Sequence, residues 1–462
     1  MRRTAEVAII GGGIVGCAIA YSLTRRGVRC VLLERNLDVG EGTSKANSGI
    51  VHTGFDAKPE TLEARLLADA RSLWQVVAEE LRVPLIPSGA VMVARDEAEF
   101  ERIRGPITAT AAANEVAVEV VDRATLLESW PFVTPHAAGG LVVPGESLVD
   151  PFWATRAYAE AAVLGGAELI LGATVVGIEI RPHDVRLALC QGDIVSADIV
   201  INAAGLWADE VARLAGDDSL SLTPRKGQFI LAEDDLGIGS IMLPVPTPTS
   251  KGILVSPLAI GGLLMGPTAE DVSRKDDLAT TADGLAAVRR GAASLVPAVA
   301  TVASVRQFAG LRAVNPAGDY IIRRSTVSDR LIHVAGIRST GVSASPAIGE
   351  YVADLVTAHG DQTVREPEPD AAPEFEVTGS AEVVCLCRGV TVAEVERALR
   401  GPIPARTLDA VKRRTGAMLG ECQGNECAVA IARLIAESQS VPLKAVERGP
   451  IGSSLGVPRE VR

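Results

Sequence analysis

Near the N-terminus the apolar positions fall into three blocks. Val7–Ile10 is a short aliphatic run, Ile14–Arg26 is a longer apolar stretch closed by Gly27, and Val28–Leu33 is a second short run that stops at Glu34. Short apolar runs bounded by glycine read as buried strands and the longer one between them as a helix, so the chain opens on a strand–helix–strand unit. Leu62, Leu66, Ala70, Leu73 and Val77 then recur at three- and four-residue intervals, which predicts an amphipathic helix. Between about residues 85 and 200 short strands alternate with helices. Asp150–Pro151 there forms an N-cap followed by proline at the first helical position, ahead of a helix over Trp153–Leu164.

The pattern continues with a strand at Asp198–Asn202 that runs into Ala203-Ala204-Gly205. Residues 220–330 read as strands and turns: Gly227–Leu231, Gly252–Ser256, Leu263–Gly266, Gln307–Arg312 and Tyr320–Arg323. Leu331–Gly336 leading into a helix over Ala347–Val356 repeats the strand–glycine–helix arrangement. Residues 364–382 are rich in proline and glutamate and poor in apolar residues, which is linker composition. Past them, Thr391-x-x-Glu394 is a capping box opening a helix with Val392, Val395 and Leu399; Thr407 opens Leu408–Arg414; and Val429, Ile431, Ala432, Leu434 and Ile435 mark a last helix.

Composition narrows the class. At 462 residues the chain has room for several packed units, since a domain takes roughly 100–200 residues. Aromatic residues are only 3% of the total, so the core must be mainly aliphatic. A net charge of −12 with no long basic run argues against a nucleic-acid partner or an anionic membrane surface. Arg2–Arg3 ahead of an apolar stretch imitates a signal peptide, but Glu6 interrupts the stretch and three glycines follow it. No uninterrupted apolar run reaches about 18 residues, so no transmembrane segment is expected. The expected location is the cytoplasm, or the membrane periphery through a partner.

Seven cysteines are too few for a secreted disulfide scaffold in a chain of this length. Cys17, Cys30 and Cys190 stand in apolar surroundings and are expected in the core. The other four, Cys385-x-Cys387 and Cys422-x-x-x-x-Cys427, crowd the C-terminal part with 34 residues between the pairs. The first spacing is atypical of zinc ribbons, which favour pairs two to four residues apart, and four thiolates suit a [2Fe–2S] cluster at two per iron.

Gly11-x-Gly13-x-x-Gly16 joins the first strand to the first helix, with Glu34 at the end of the next strand. In such a dinucleotide fingerprint Gly11 permits the tight turn, Gly13 admits a pyrophosphate to the backbone, and Gly16 lets helix and strand pack closely. The helix N-terminus offers unpaired N–H groups to phosphate. Glu34 accepts from ribose hydroxyls and repels a 2′-phosphate, which argues against NADP.

Strands ending at Gly205 and Gly336 share the strand-then-glycine character, so the binding domain is assembled from separated stretches around an insertion. This layout resembles the FAD-dependent oxidoreductases of the D-amino-acid oxidase and glycerol-3-phosphate dehydrogenase superfamily. Ser44–Thr53 (SKANSGIVHT) with Gly54 is similar to that family's flavin-contacting segment, and Pro224–Gln228 (PRKGQ) to its turn near the substrate entrance. Gly310-Leu311-Arg312 matches its substrate-arginine strand and Gly336–Ile348 (GIRSTGVSASPAI) its C-terminal flavin motif. Arg338 stands where an acidic residue is expected in that motif. The resemblance covers about residues 5–360.

It implies an α/β fold: a discontinuous Rossmann-type FAD-binding domain over 1–84, 198–225 and 325–363, and an inserted α+β substrate domain over 85–197 and 226–324. It also implies FAD contacts from Ser44, Asn47, Ser48, Gly205, Gly336, Gly341, Val342 and Ser343, beside Gly11, Gly13, Gly16 and Glu34. His52, inside the flavin segment, is implied as the base that takes a hydroxyl proton. Arg312 is implied as the fork that holds an anionic substrate group. Lys226, Lys251 and Arg338 are auxiliary cations, or solvated surface charges.

After the linker, residues 383–450 closely resemble the bacterioferritin-associated-ferredoxin type of [2Fe–2S] domain, a small helical unit. The match rests on Cys385-Leu-Cys387, Gly401–Arg414 (GPIPARTLDAVKRR) and Cys422-Gln-Gly-Asn-Glu-Cys427, with Glu426 where an aromatic is common. The same module ends the large subunit of anaerobic glycerol-3-phosphate dehydrogenase and some opine or amino-acid oxidase subunits. The expectation is therefore a dehydrogenase of a small anionic hydroxy compound, with glycerol 3-phosphate preferred. FAD would be reduced first and a [2Fe–2S] cluster held by Cys385, Cys387, Cys422 and Cys427 would pass electrons to a quinone or companion redox subunits. L-2-hydroxyglutarate as substrate, an amine or imino acid as substrate, and a non-catalytic electron relay are the alternatives.

Overall fold

The computed structural model describes residues 2–247, 251–358 and 380–456; the expected linker lies outside them apart from 380–382. The strand β1 (Arg2–Ile10) is the middle of an eight-stranded sheet. On one side it pairs in parallel with β2 (Cys30–Glu34), which in turn pairs in parallel with Glu168–Leu171. On the other side it pairs in parallel with Ile194–Asn202. That long strand is shared: residues 194–197 pair antiparallel with Val185–Leu189, and residues 200–202 pair in parallel with Leu331–Ala335.

The helix α1 (Ile14–Arg25) is apolar on every side and almost wholly buried, because helices cover it from two directions. Pro151–Leu164 and Gly341–Thr357 both pack on it, and α2 (Leu62–Glu80) packs on Gly341–Thr357. Gly349 shows how close the fit is: a Cβ there would stand 2.7 Å from Ser22 Oγ and 2.8 Å from the Ala18 carbonyl oxygen.

A second, nine-stranded sheet carries the long antiparallel pair Thr223–Ala232 and Ser304–Val314, in register from Thr223 opposite Val314 to Leu231 opposite Arg306 and shifted at Ala232, which faces Ser304. The helix Ala282–Leu295 covers this sheet with Val288, Ala292 and Leu295.

Three expectations are corrected. Residues 151–197 do not belong to the inserted domain: Pro151–Leu164, Glu168–Leu171 and the strands through Val185–Leu189 complete the first sheet and its helical cover. The stretch 220–330 is not all strand and turn, since Thr281 caps a helix that runs from Ala282 to Leu295. The C-terminal flavin helix begins at Gly341 rather than Ala347, with Pro346 tolerated inside it because Ser345 Oγ donates to the Val342 carbonyl that Pro346 cannot serve (2.9 Å). Cys17 and Cys30 are buried as expected, whereas Cys190 is exposed.

The C-terminal unit is a short hairpin, Val383–Cys385 with Val390–Thr391, followed by three helices: Val392–Arg400, Leu408–Thr415 and Ala428–Gln439. Thr391 and Glu394 form the reciprocal capping box, and Thr407 caps the second helix through Ala410 N. Val395, Val411, Ile431 and Ile435 lie in its own core. It sits on the first domain through Arg414, whose guanidinium reaches both oxygens of Asp38 at 2.5 and 2.9 Å, and through Arg413, which contacts Glu41. Arg388 reaches the second sheet, at Glu233 (2.9 Å) and the Ile260 carbonyl (2.6 Å).

Candidate flavin, substrate and cluster sites

At the carboxyl ends of β1, β2, Ile194–Asn202 and Leu331–Ala335 lies a cavity of about 550 Å³. This is the crevice position at which parallel α/β sheets bind nucleotides. Gly11, Gly13, Glu34, Ser44, Asn47, Gly205, Gly336, Gly341 and Val342 line it. Gly11 holds φ +112°, and a Cβ there would stand 2.4 Å from the Ala203 carbonyl oxygen. Gly16 is outside the lining and explains the packing: its Cβ would stand 2.0 Å from the Gly11 carbonyl oxygen. The turn therefore closes only with glycine at both ends, and the N-terminus of α1 faces the cavity with Gly13 as a cap that has no side chain.

Glu34 is buried, and burial pushes its carboxyl up, opposed by the N–H groups of Asn36 and Gly12. One oxygen accepts from Gly12 N at 2.8 Å and the other from Asn36 N and Nδ2 at 2.9 and 2.6 Å. A carboxylate has about four acceptor positions, so one stays open toward a ribose hydroxyl. Ser44 Oγ accepts from Ile14 N at 3.0 Å and fastens the loop Thr43–Ala46 across the helix end. Asn47 Nδ2 donates to the Ser339 carbonyl at 2.9 Å, joining that loop to the C-terminal flavin segment. The open acceptor of Glu34, the glycine turn and the free helix end fit a flavin dinucleotide.

Ser48, Ser343, His52 and Arg312 are not in the cavity lining. Ser343 is instead a tie: its Oγ donates to the Ile50 carbonyl (3.0 Å) and accepts from His52 N (2.9 Å). His52 Nδ1 lies 2.8 Å from Glu146 Oε2 rather than against nearby backbone. Nothing in the sequence marks Glu146, which is 94 residues away in the turn between Gly139–Val143 and Ser147–Leu148.

Close by, Asp56 pairs with Lys251 at 2.8 Å; burial works against the Asp56 charge, but Lys251 and His52 hold its carboxyl below the ordinary range. Arg338 lines the cavity with φ +56° and contacts Glu63, which also accepts from Thr340 Oγ1 at 2.7 Å. Glu63, which no sequence motif marks, thus neutralises Arg338 from α2. Lys226 is buried and bound to Asp277 (2.8 Å) and the Ala279 carbonyl (3.2 Å), so it braces the second sheet.

Arg312 is different. It lies between Leu311 and Ala313, both of which line the cavity, and its Nη2 donates to the Thr268 carbonyl at 2.9 Å. Among the described residues no acidic side chain pairs with it. Burial and the neighbouring Arg225 bring its pKa down to about 10, still charged at neutral pH. A partly buried cation without an acidic partner is poised to take up an anion.

The four C-terminal cysteines are gathered as two neighbouring pairs, Cys387 with Cys422 and Cys385 with Cys427. The N–H groups of Glu426, Gly424 and Asn425 hold the Cys422 thiol below the ordinary range, while burial pushes the Cys427 thiol up to about 11 against the Met418 N–H. Left-handed backbone at Met418, Gln423 and Gly424 turns these amides inward. Gly420 leaves room, since a Cβ there would stand 2.5 Å from Cys387 Cβ. Among the described residues no three His, Cys, Asp or Glu side chains surround a point in the manner of a single-ion site. Four thiols in two pairs under a cradle of amides fit an anionic two-iron cluster.

A dinucleotide crevice and a four-thiol cradle on one chain define a flavin and iron–sulfur oxidoreductase. The chain belongs to the FAD dependent oxidoreductase family, whose profile matches residues 6–355, and it carries a BFD-like [2Fe-2S] binding domain over residues 383–437. It is similar to a glycerol 3-phosphate dehydrogenase of Caloramator mitchellensis, at 32% identity over 97% of each chain. It is also similar to one of the subunits of the anaerobic glycerol-3-phosphate dehydrogenase of Escherichia coli, at 26% identity over 94% of this chain and 88% of that one. Among solved structures, the FAD-bound L-alpha-glycerophosphate oxidase of Mycoplasma pneumoniae matches with a TM-score of 0.73 and 29% identity, over 77% of this chain and 95% of the other. The chain is an oxidoreductase with FAD and a [2Fe–2S] cluster as its cofactors. Among the described residues no helix is long and apolar enough to cross a membrane.

Proposed function

We propose that the protein is a glycerol 3-phosphate dehydrogenase that sends electrons through its cluster to a quinone or a companion redox subunit. The observation that carries the substrate class is Arg312, a partly buried guanidinium with no acidic partner among the described residues, on the strand whose Leu311 and Ala313 line the flavin cavity. The names of relatives aligned over nearly the whole chain support glycerol 3-phosphate as the anion. When bound, FAD supplies a two-electron hydride acceptor and the cluster a one-electron outlet.

The chain's own residues supply the rest. Arg312 grips the phosphate with parallel N–H donors and fixes its distance from the reacting carbon. His52 takes the proton of the hydroxyl being oxidised. N–H groups at the start of Gly341–Thr357 face the cavity and favour negative charge there. The cluster unit, held by Arg413 and Arg414 on the loop that continues into the flavin site, favours a dehydrogenase with a protein or quinone acceptor.

The test is anaerobic mixing of the purified holoenzyme with glycerol 3-phosphate, L-2-hydroxyglutarate and a panel of amino acids. Bleaching of the flavin band by glycerol 3-phosphate is expected. Bleaching by another member of the panel in its place, or by none, overturns the assignment.

A further inference from the structure

Glu146 sits in the turn between the strands Gly139–Val143 and Ser147–Leu148, and its side chain has no exposed surface. All of its side-chain bonds go to two consecutive residues. Oε2 lies 2.8 Å from His52 Nδ1, and Oε1 accepts from both Thr53 N and Thr53 Oγ1 at 2.8 Å. No lysine or arginine pairs with it among the described residues. The backbone is fixed as well: Gly89 N donates to the Glu146 carbonyl at 2.8 Å. At Gly145 a Cβ would stand 2.8 Å from the Thr53 methyl, so the turn is pressed against its target. Burying a carboxylate is costly unless its oxygens are satisfied, and here the satisfaction comes from the histidine segment alone.

We infer that Glu146 is the positioning residue that sets the tautomer of His52. An ionised carboxylate only accepts, so the ring proton must reside on Nδ1, leaving the Nε2 lone pair free. Nε2 takes no hydrogen bond among the described residues. When the substrate O–H bond breaks, its proton goes to Nε2. The imidazolium that results stands against the Glu146 carboxylate, which stabilises it without accepting a proton itself. Ser343, by accepting from His52 N, holds the backbone of the same residue from the flavin helix. This inference rests on the reading of His52 as the proton acceptor.

The full-length, FAD-loaded protein labelled with nitrogen-15 histidine tests it, with the His52 signal identified by its loss in His52→Asn. A neutral His52 protonated at Nδ1 is expected. In Glu146→Gln the amide oxygen keeps the two Thr53 bonds, and the amide nitrogen donates to Nδ1 and moves the ring proton to Nε2. The kcat for glycerol 3-phosphate should fall by about 10²- to 10⁴-fold with KM changed by less than about threefold, because the lost group acts on proton transfer rather than on binding. Glu146→Asp, which retains the acceptor, should keep the Nδ1–H tautomer and recover part of kcat. A wild-type His52 protonated at Nε2 overturns the inference, as does a Glu146→Gln enzyme with unaltered tautomer and kcat. Should Glu146→Gln fail to fold, the wild-type spectrum decides alone. An Nδ1–H tautomer in an enzyme that oxidises a different substrate supports the dyad and removes only the glycerol 3-phosphate assignment.

Discussion

Arg312 illustrates how a single side chain can cost stability and serve binding. Its guanidinium is partly withdrawn from water, with Arg225 adding repulsion and one carbonyl as its bond acceptor. Replacing it with methionine removes an unpaired charge and keeps most of the volume, so the folded state should be as stable as wild type or more so. Binding should move the other way. Charge-assisted hydrogen bonds contribute about 1.5–3 kcal/mol, so KM for glycerol 3-phosphate should rise at least about 10- to 100-fold. Arg312→Lys should recover little, because one ammonium cannot reproduce a planar fork. Steady-state kinetics and thermal melts on the same preparations check both halves. A variant that melts earlier and keeps its KM would show that Arg312 is a structural residue.

At the scale of elements, the strand Leu331–Ala335 is attached to Ile194–Asn202 by only three paired residues, Leu331 to His333. A buried polar network reinforces that seam. His333 accepts from Asn202 Nδ2 at Nδ1 (3.2 Å) and donates from Nε2 to Asp217 (3.0 Å). Asp217 also receives Ser219 N, Thr326 N and Thr326 Oγ1, and contacts Ser325 Oγ. Burial lowers the pKa of His333 despite Asp217, and burial of Asp217 is outweighed by its donors, which hold that carboxyl far below the ordinary range. Both folded-state values are depressed, so the unfolded chain binds more protons at each group. Stability from both is fully present above the unfolded values of about 6.5 and 3.9 and is lost as pH falls from each of these through the lower folded-state value. Thermal midpoints should therefore decline from about pH 6.5 downward. Asp217→Asn should lower the midpoint at pH 7 by several degrees and abolish the part of the decline below about pH 3.9, while the His333 part persists because that imidazole loses the carboxylate that favours its charge. An Asp217→Asn protein with the wild-type slope below about pH 3.9 would count against this account.

The same seam shows what a sequence can and cannot reveal. Gly11, Gly13, Gly16 and Glu34 were legible because their work is local, done by a turn and the two elements it joins. The capping box at Thr391 and Glu394 was legible for the same reason. Sheet membership of Glu168–Leu171 was not, because apolar alternation marks a strand without naming its neighbour. The helix Ala282–Leu295 was hidden by Gly284 and Gly291, which weaken a helix, although Leu285, Val288, Ala292 and Leu295 keep an apolar stripe and Thr281 supplies an N-cap. Glu146 and Glu63 reach their partners across 94 and 275 residues, and no spacing rule connects positions so distant.

Across the whole molecule, the loop from Asp38 to Asn47 has two faces. Glu41, Thr43, Ser44 and Asn47 line the flavin cavity, while Asp38 and Glu41 hold Arg414 and Arg413 of the cluster unit. One stretch of chain therefore registers both cofactor sites against each other, and the order of that loop should govern passage of electrons between them. The Asp38–Arg414 pair is almost entirely buried, with side-chain exposures of 5% and 4%, and Arg414 also donates to the Ile403 and Ala410 carbonyls at 3.1 Å. Removing one member of a buried pair costs about 3–5 kcal/mol, because the other is left charged and alone. Arg414→Ala should accordingly loosen the C-terminal unit from the body without touching the substrate or flavin residues. Anaerobic glycerol 3-phosphate should still bleach the flavin at the wild-type rate, while the electron paramagnetic resonance signal of the reduced cluster appears more slowly. Limited proteolysis should release a fragment containing residues 383–456 from the variant sooner than from wild type. Slowed flavin bleaching would place Arg414 in the flavin site itself, and unchanged cluster reduction would show that docking on this loop does not set the electron path.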